Sequence, residues 1–474
     1  MSAKPNAVFI PKDAINRIHI GHAFAEYDLV RENPSLLVQT PAVLQATTSS
    51  PQKCFFVGRR GTGKTAITYL ISNQRRNSLT LKPQVIAPDS VGMSLDQFRD
   101  TNQPPFKSLV LSFKKAMLVH VLQAWKRDGL LSKQALPREL SKELLPVDQY
   151  DFYIGLLDQF NTILTALSVD KTHWLKELKR LNRFFDSMGQ WRGDTRFEYL
   201  LLIDSIDEAW DGSDRAVIFL TALMHACVDI FSSCSFATAF LFLRENVFDR
   251  VREIDNEYSR LETFLVSLDW HERYLLEVIE RRLNFKLTQK LKQDGTTWRH
   301  FFEDIEGNSS WPTVVDFCRH RPRDLLAYVG FCLDIAQAKK NPQVKIEDMQ
   351  AAKRRFSENR LKDISDEYAE NFPHLGYILN LFYGLGDRYS LNGLTAFISK
   401  LVVDPEVIKL CAWVLLNSSP ERFADILYRI GFLGYVTDSR THFRGVGSSG
   451  SQIPPVTSAT IMKVHPTFAE AMAL

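Results

Sequence analysis

The chain has 474 residues, which at roughly 100–200 residues per domain predicts two to four domains. Its 58 basic and 55 acidic residues leave a net charge of +3, so no strong overall field favours a polyanionic partner. Apolar residues make up 45% of the chain and charged residues 24%, which is typical of a folded globular protein and excludes a disordered or fibrous one.

The cysteine spacing and the apolar runs indicate the cellular compartment in which the protein is expected. None of the six cysteines forms a Cys-x-x-Cys pair, and most stand in apolar runs, which is typical of reduced core residues. The N-terminus has no long apolar stretch behind basic residues, and no run reaches about 18 consecutive apolar residues. We therefore expect a cytoplasmic protein with no membrane partner.

Strand and helix patterns alternate after an irregular N-terminal segment, residues 1–50. A helix begins at Lys64, and residues from about 106 to 187 favour helices inserted between the second and third strands. The buried strand patterns fall at residues 54–57, 85–87, 199–203, 236–243 and 264–268. This alternation predicts a parallel sheet with helices on both faces, formed by residues 51–268.

The remainder of the chain is predicted to form two further domains. Residues 269–365 favour helices that carry Arg and Lys on their polar faces. Residues 366–474 combine short helices with two strands, 432–436 and 460–464, on either side of a Gly/Ser/Pro-rich loop. Helices closed by such a hairpin indicate a winged helix.

A phosphate-binding loop follows the first strand. The pattern G-x-x-x-x-G-K-[ST] is matched by Gly58, Arg59, Arg60, Gly61, Thr62, Gly63, Lys64 and Thr65. It lies between a predicted strand and a predicted helix, as its mechanism requires, although a glycine-rich turn without a ligand is the plain alternative. Successive backbone N–H groups meet the phosphate charge, Lys64 reaches the terminal phosphates, and Thr65 ligates magnesium.

Acidic residues follow the third strand and form the expected second half of the site. Asp204 comes directly after four apolar residues, and Asp207 and Glu208 follow it. A carboxylate at the end of a strand can hold magnesium, and another can orient or deprotonate the attacking water. We assign Asp204 to the metal and Glu208 to the water, with Asp207 as support or alternative. Without the phosphate-binding loop, these acidic residues would be interpreted as a solvated turn after a buried strand.

The sequence resembles the AAA+ and STAND groups of P-loop ATPases, especially bacterial stand-alone ATPases. The resemblance rests on GRRGTGKTA, which ends at Ala66, and on LLIDSIDEAW. It covers most of the chain, since Ala25, Glu26 and Asp28 resemble the family's acidic segment before strand one, and Leu268-Asp269-Trp270 resembles the segment that opens its helical lid. The resemblance implies sheet order 5-1-4-3-2, residues 269–365 as the lid, and ATP or ADP with Mg²⁺ as ligands.

The resemblance also assigns residues outside these motifs. Arg244, after the strand 236–243, would lie near the γ-phosphate, although an arginine can simply end a strand. Pro322 and Arg323 resemble a motif that touches the base and phosphates, although Pro is ordinary in a first helical turn. His465 resembles the winged-helix histidine by which STAND proteins sense a bound diphosphate, although a lone His is more often structural.

These features favour a regulatory switch. ATP binding would close the lid and winged helix on the core, and hydrolysis would reopen them, driving assembly into a homo-oligomer or activation of a separate effector protein. By resemblance alone, such ATPases often serve bacterial antiviral defence. The inserted helices depart from the family's pattern and suggest a partner-binding or sensor element. A scaffold that binds nucleotide without hydrolysis is an alternative, which Asp207 and Glu208 argue against.

A DNA-binding ATPase of the origin-recognition or loader type is the second hypothesis, because such proteins also join an AAA+ core to a winged helix. It needs a basic recognition helix and wing. The candidate helix, residues 421–430, balances two arginines with two acids, and the wing offers only Arg440, His442 and Arg444. We therefore expect weak, salt-sensitive DNA binding at most.

Overall fold

A computed structural model gives the architecture of the chain. The residues that it describes are 13–75, 77–81, 106–131, 136–144, 155–156, 158–159, 161–162, 165–166, 171–190, 198–206, 213–255, 257–287, 290–437, 440–444, 457 and 460–474.

The chain divides into two compact units. The sheet unit comprises Pro41–Arg59 and Ile67–Leu268. The helical unit comprises the chain up to Thr40, Arg60–Ala66 and Asp269–Leu474. The chain thus passes from one unit to the other within the glycine loop.

In the described residues, a parallel sheet of five strands forms the centre of the sheet unit, in the order β2-β3-β4-β1-β5. Its strands are β1 Phe55–Gly58, β2 Ser78–Leu81, β3 Tyr199–Ile203, β4 Ala237–Arg244 and β5 Leu265–Ser267. The order 5-1-4-3-2 is therefore confirmed. The central strands β1, β3 and β4 are buried almost throughout, as continuous apolar runs in a parallel sheet should be.

The described residues of the sheet unit also form helices. They are α1 Pro41–Thr47, α2 Lys64–Gln74, which belongs to this unit from Ile67 onward, α3 Phe106–Arg127, α4 Arg138–Ser141, α5 Lys171–Gln190, α6 Asp214–Ser233, α7 Glu245–Ile254 and α8 Tyr258–Glu262. The described residues between β2 and β3 form helices and turns, in agreement with a helical insertion. The second strand of the sheet lies at Ser78–Leu81, whereas the predicted strand at 85–87 lies outside the described residues.

Helix α6 is the most apolar long helix of the sheet unit. By length and composition its stretch Ala216–Ser233 could cross a membrane, but 61% of that stretch is buried inside the protein. It packs against α3 and β4. Its apolar character is therefore accounted for by its place in the core.

The helical unit begins with a bundle. Its helices are α9 Glu272–Phe285, α10 Thr296–Phe301, α11 Trp311–Phe317, α12 Pro322–Ala338 and α13 Ile346–Glu367. Ile15, Ile18 and Ile20 of the N-terminal segment are buried in the same core as Trp298 and Tyr328. The N-terminal segment is therefore part of this bundle.

The C-terminal part of the helical unit has its own core and an antiparallel sheet, in the order β6-β9-β7-β8. Its elements are α14 Leu375–Asn380, β6 Arg388–Ser390, α15 Leu391–Leu401, α16 Pro405–Leu410, α17 Ala412–Leu416, α18 Pro420–Arg429, β7 Leu433–Thr437, β8 Arg440–His442, β9 Ile461–Val464 and α19 Ala469–Met472. The two predicted strands are confirmed as β7 and β9. The described residues of this part thus combine short helices with one antiparallel sheet.

Candidate functional site

The glycine loop, residues 58–65, connects β1 to α2. Gly61 and Gly63 have φ angles of +82° and +95°, in a region that residues with side chains rarely adopt. Lys64 and Thr65 begin α2, an 11-residue helix, and both are half-buried. A glycine-rich turn that leads into a helix N-terminus is the local structure that binds phosphate in other proteins.

Within the sheet unit, three predicted site residues lie at the carboxyl edge of neighbouring strands. Gly58 at the end of β1 is in register with Arg244 at the end of β4. Asp204 directly follows β3, the next strand of the sheet. Asp204 is only 2% exposed, and its Oδ1 accepts a hydrogen bond from the Ser205 N–H at 2.9 Å. The sheet order thus gathers these residues at one edge.

Arg59 and Arg244 both lie beside the first turn of α7. Arg244 is the N-cap residue of this helix. Arg59 is 7% exposed, and its Nε lies 3.9 Å from Oε2 of Glu245, the first residue of α7. The loop and the end of β4 are therefore linked by charge within the sheet unit.

Within the helical unit, the backbone of the loop is held by side chains and N–H groups of the predicted lid. The indole Nε1 of Trp270 donates to the Thr62 carbonyl at 2.9 Å. The Arg323 N–H donates to the Gly61 carbonyl at 3.4 Å. A Cβ at Gly61 would lie 2.6 Å from that of Arg323, so the loop is packed tightly on the start of α12.

Arg321 and Glu367 hold the loop at a third point. Nη1 of Arg321 donates to the Arg60 carbonyl at 3.3 Å, and Oε1 of Glu367 accepts from the Arg60 N–H at 3.4 Å. The two side chains also pair with each other at 3.4 Å, and they are 3% and 2% exposed. Both backbone groups of Arg60 are therefore bonded to one buried ion pair, whose acid ends α13.

An arginine cluster surrounds this pair. It consists of Arg319, Arg321, Arg323 and Arg360, with the carboxylates of Asp324, Asp363 and Glu367. Asp324 accepts from Arg319 at 2.8 Å and from Arg360 at 2.7 Å. Burial alone would raise the pKa of Asp324, but the neighbouring guanidinium groups outweigh it and hold the pKa well below its usual range.

Several guanidinium nitrogens of the arginine cluster are buried without a hydrogen-bond partner in the described part of the chain. They are Nη1 and Nη2 of Arg319, Nε and Nη2 of Arg321, Nε of Arg323 and Nε of Arg360. Such groups are rare in folded proteins. Four guanidinium groups against three carboxylates leave a surplus of positive charge, which suits an anionic ligand.

The N-terminal segment reaches the same cluster. The ring centroid of Phe24 lies 4.0 Å from the guanidinium carbon of Arg323, a distance typical of cation–π contact. Asp28 anchors this segment, since its buried carboxylate pairs with Arg282 of α9 at 2.6 Å. The predicted acidic segment therefore lies on the helical bundle that bears Arg323.

His465 is buried, with 2% of its surface exposed. Its Nδ1 accepts a hydrogen bond from the Thr467 N–H at 3.1 Å, so it caps the turn Pro466–Phe468. The Thr467 hydroxyl in turn donates to the Phe317 carbonyl at the end of α11. An accepting Nδ1 is deprotonated, which leaves Nε2 to carry the proton of the neutral ring.

Asp207 and Glu208 lie outside the described residues. The remaining site residues are placed within two sets. The sheet unit brings Gly58, Arg59, Asp204 and Arg244 to one edge, and the helical unit brings the loop from Arg60 to Ala66 together with Pro322 and Arg323.

Sequence reasoning missed Arg321 and Glu367, the two residues that bond to the backbone of Arg60. The repeated arginines of Arg319-His320-Arg321-Pro322-Arg323 were a signal, because so many cations near a helix start need acidic partners or an anion. Glu367 offered no signal, since it stands 46 residues from Arg321 in an ordinary charged helix.

The fold and the loop define a fold class. A parallel sheet in the order 5-1-4-3-2, with the G-x-x-x-x-G-K-[ST] loop between its central strand β1 and α2, is the α/β fold of a P-loop NTPase core, here followed by a helical C-terminal region.

Sequence comparisons find one matching domain family and two similar proteins. Residues 273–365 match the FunZ-associated C-terminal helical domain, which covers well under half of the chain. The putative transposon gamma-delta 80.3 kDa protein of Escherichia coli K12 is 23% identical over 427 residues, which cover 81% of this chain. The chain spans only 57% of that protein. Allergen Alt a 2 of Alternaria alternata is 27% identical over 143 residues, 30% of this chain and 75% of the allergen.

Among solved structures, the chain is similar at a low level to the Aeropyrum pernix ORC1 protein in complex with DNA. The TM-score is 0.35 at 12% identity, with 99% of this chain and 94% of that chain covered. The Thermotoga maritima RuvB Holliday junction branch migration motor has a TM-score of 0.31 at 11% identity, with 88% and 91% covered. Likeness at this level carries no information about function.

Proposed function

We propose that the protein binds ATP with Mg²⁺, hydrolyses it, and uses the nucleotide state as a switch that controls homo-oligomer assembly or activation of a separate effector protein. Residues 51–268 are the nucleotide-binding core in this proposal, residues 269–365 the lid, and residues 366–474 the winged-helix domain. A role in bacterial antiviral defence is the biological setting that we propose from the resemblance.

The observation that carries the proposal is the bonding of the loop backbone to the helical unit. The Arg60, Gly61 and Thr62 carbonyls each accept a hydrogen bond from a lid residue, and Glu367 accepts from the Arg60 N–H. A ligand that reshapes the loop must therefore change these hydrogen bonds. The free-energy difference between a lid that is bonded to the loop and a lid that is released from it then depends on the ligand. Differential affinity of this kind is what a switch requires.

The chemistry of the residues fits a magnesium nucleotide. Gly61 and Gly63 adopt left-handed backbone angles, and as glycines they place no side chain in the loop. The arginine cluster has a surplus of positive charge that suits phosphate. The Thr65 hydroxyl and the Asp204 carboxylate are the hard oxygen ligands that Mg²⁺ prefers. When bound, Mg²⁺ would neutralise charge that develops on the phosphates.

Roles follow from these positions. Residues 58–66 hold the phosphates, with Lys64 at their terminal oxygens. Arg244 is proposed to approach the γ-phosphate, Pro322 and Arg323 to contact the base and phosphates, and His465 to sense the diphosphate. Glu208 orients or deprotonates the attacking water, with Asp207 as support or alternative.

Replacement of Lys64 tests the proposal. We expect Lys64→Ala to lose measurable ATP affinity in calorimetric titration with magnesium, because the terminal phosphates lose the ammonium that the loop supplies. Lys53→Ala is the matched control, since Lys53 precedes β1 and lies outside the loop, and it should bind like the wild type. Equal affinity in the Lys64 variant and the wild type would overturn the assignment of the loop.

DNA handling is the second candidate, because the name of the Escherichia coli relative assigns it to a transposon. Arg429 in α18 pairs with Asp425 at 2.8 Å, which reduces the charge available for phosphate contacts. Fluorescence anisotropy with duplex DNA separates the candidates. We expect weak binding that disappears at physiological salt; tight binding there, lost in Arg440→Ala with Arg444→Ala, would favour DNA handling over the switch.

A further inference from the structure

A polar cavity lies in the helical insertion of the sheet unit, away from the glycine loop in sequence. Its volume is about 190 Å³. Its walls come from α3, α5, residues 142 and 143 after α4, and residues 155, 158, 159 and 162. The polar residues that line it are Lys115, Lys142, Glu143, Asp158, Gln159 and Arg180.

Lys115 supplies a buried cation to this cavity. It is 3% exposed, and its Nζ lies 2.9 Å from Oε1 of Glu143. An ammonium group has three N–H donors. Burial lowers the pKa of Lys115, and the attraction of Glu143 opposes this shift without cancelling it. A further acceptor within the cavity would therefore stabilise the charged form.

Gln159 supplies an unsatisfied donor. Its side chain is 6% exposed, and its Nε2 has no hydrogen-bond partner in the described part of the chain. A buried amide without a partner is destabilising, and native proteins keep few of them. Its place in the wall of a cavity indicates that the missing acceptor belongs to something that the cavity binds.

The N–H donors of the cavity favour an oxyanion. Among the described lining residues Lys115, Lys142 and Arg180 are cationic and Glu143 and Asp158 are anionic. Arg180 lies 3.5 Å from both Glu143 and Glu177, so these six groups balance in charge. The preference for an acceptor therefore comes from the remaining N–H donors of Lys115 and from the Gln159 amide. The cavity is slightly larger than the roughly 150 Å³ that accommodates benzene in an engineered protein core, so its occupant has on the order of five to eight non-hydrogen atoms.

We propose that this cavity binds a small oxyanion, a phosphate or a short carboxylate, through Lys115, Gln159 and Arg180. The site makes the helical insertion a sensor for a small anion within the sheet unit. It is independent of the glycine loop, because none of its residues belongs to the loop or to the carboxyl edge of the sheet.

Thermal unfolding of the full chain tests the site, with potassium phosphate and potassium succinate as probes and potassium chloride at the same ionic strength as reference. The phosphate series is repeated in Lys64→Ala protein, so that binding at the glycine loop does not contribute. We expect at least one probe to raise the melting temperature. We expect Lys115→Met and Gln159→Leu to weaken its apparent Kd about tenfold or more, since each removes a direct hydrogen bond to a charged ligand.

Two comparisons make the result decisive. Gln159→Leu should leave the melting temperature without probe unchanged or higher, because it removes an unsatisfied buried donor, whereas a structural amide would lower it. Lys114→Met is the matched control, since Lys114 neighbours Lys115 on α3 but lies over the Phe185 ring, and it should respond like the wild type. No stabilisation by either probe, or equal stabilisation in all variants, would show a cavity that holds water only and would overturn the proposal.

Discussion

At the scale of single residues, Gly61 satisfies two independent constraints. Its φ of +82° lies in the left-handed region, and a Cβ there would lie 2.6 Å from the Arg323 Cβ and 2.7 Å from its Cδ. Gly63 meets only the first constraint, because the one heavy atom within 4 Å of its Cβ position is Trp270 Cζ2 at 3.9 Å. The motif glycines therefore serve different purposes: both provide backbone freedom, and Gly61 alone also allows the close approach of Arg323.

Turnover depends on a carboxylate near the attacking water, for which Glu208 is the proposed residue. We expect Glu208→Gln to slow ATP hydrolysis by ~10²-fold or more, because it removes a base while preserving shape. The Kd for ATP, measured by calorimetry, should stay unchanged. Steady-state phosphate release measures turnover.

Asp207→Asn is the companion variant. It should reduce hydrolysis less than Glu208→Gln does. If hydrolysis persists in Glu208→Gln and is abolished in Asp207→Asn, the two roles must be exchanged.

At the scale of elements, the junction between α11 and α12 is held by charge. Arg319 and His320 have φ angles of +52° and +49°. This left-handed conformation costs of order 1–3 kcal/mol for each residue that is not glycine. Asp324, in the first turn of α12, pairs with Arg319 and with Arg360 of α13. This strained turn is therefore tied to two helices at once.

We expect Asp324→Asn to lower the free energy of unfolding of the chain by about 3–5 kcal/mol, because it leaves the buried guanidinium of Arg319 without its carboxylate and Arg360 with Asp363 alone. Urea denaturation measures the change. Asp316→Asn is the control, since Asp316 is a 75% exposed carboxylate at the end of α11 that contacts His320, and it should change stability by no more than about 0.5 kcal/mol.

The same carboxylate predicts the direction of a pH effect. Because its pKa is lowered in the folded state, its stabilising contribution is complete above the ordinary Asp pKa of about 4 and is lost as pH falls through the folded pKa. Acid unfolding should therefore depend less on pH in Asp324→Asn than in the wild type. Equal stability of the two proteins near neutral pH would contradict the assigned role.

The elements also show how far the sequence predicts the fold. The strands β1, β3 and β4 were located from apolar runs, since central strands of a parallel sheet are buried on both faces. β5 is an edge strand and was located from the apolar residues around it at 264–268. β2 at Ser78–Leu81 was missed because it is an edge strand with alternating burial, which gives only two buried positions. β6 and β8 were missed because strands of three residues carry no periodic signal.

Some residues of the candidate site can likewise be predicted from the sequence, and others cannot. The glycine loop and Asp204 were found because local spacing carries their chemistry. Arg321 and Glu367 were not, because their partnership is made by the packing of α12 on α13, between residues 46 apart in the chain. An ion pair between residues so far apart leaves no pattern in a single sequence. The start of α12 does leave one, because Pro322 stands in the first turn of the helix.

At the scale of the whole molecule, the helical unit contains a continuous series of contacts from the last strand to the loop. His465 accepts from the Thr467 N–H, and the Thr467 hydroxyl donates to Phe317 at the end of α11. The guanidinium of Arg319 lies 5.5 Å from the Phe468 ring centroid. Two residues later, Arg321 bonds to the loop at Arg60. Movement of the C-terminal turn can thus reach the loop through one short segment.

The cap at His465 makes its proposed sensing role testable against a purely structural one. In the sensing role the imidazole contacts a diphosphate oxygen, and its loss should speed ADP release about five- to 150-fold, the range of a coupling of 1–3 kcal/mol. His465→Ala removes both the imidazole and the cap, whereas the Asn side chain in His465→Asn can still accept from a backbone N–H near a helix start. We therefore expect both variants to release ADP faster in stopped-flow measurements with a fluorescent analogue. We also expect only His465→Ala to melt lower without nucleotide. Wild-type release rates in His465→Asn would assign the residue to the cap alone.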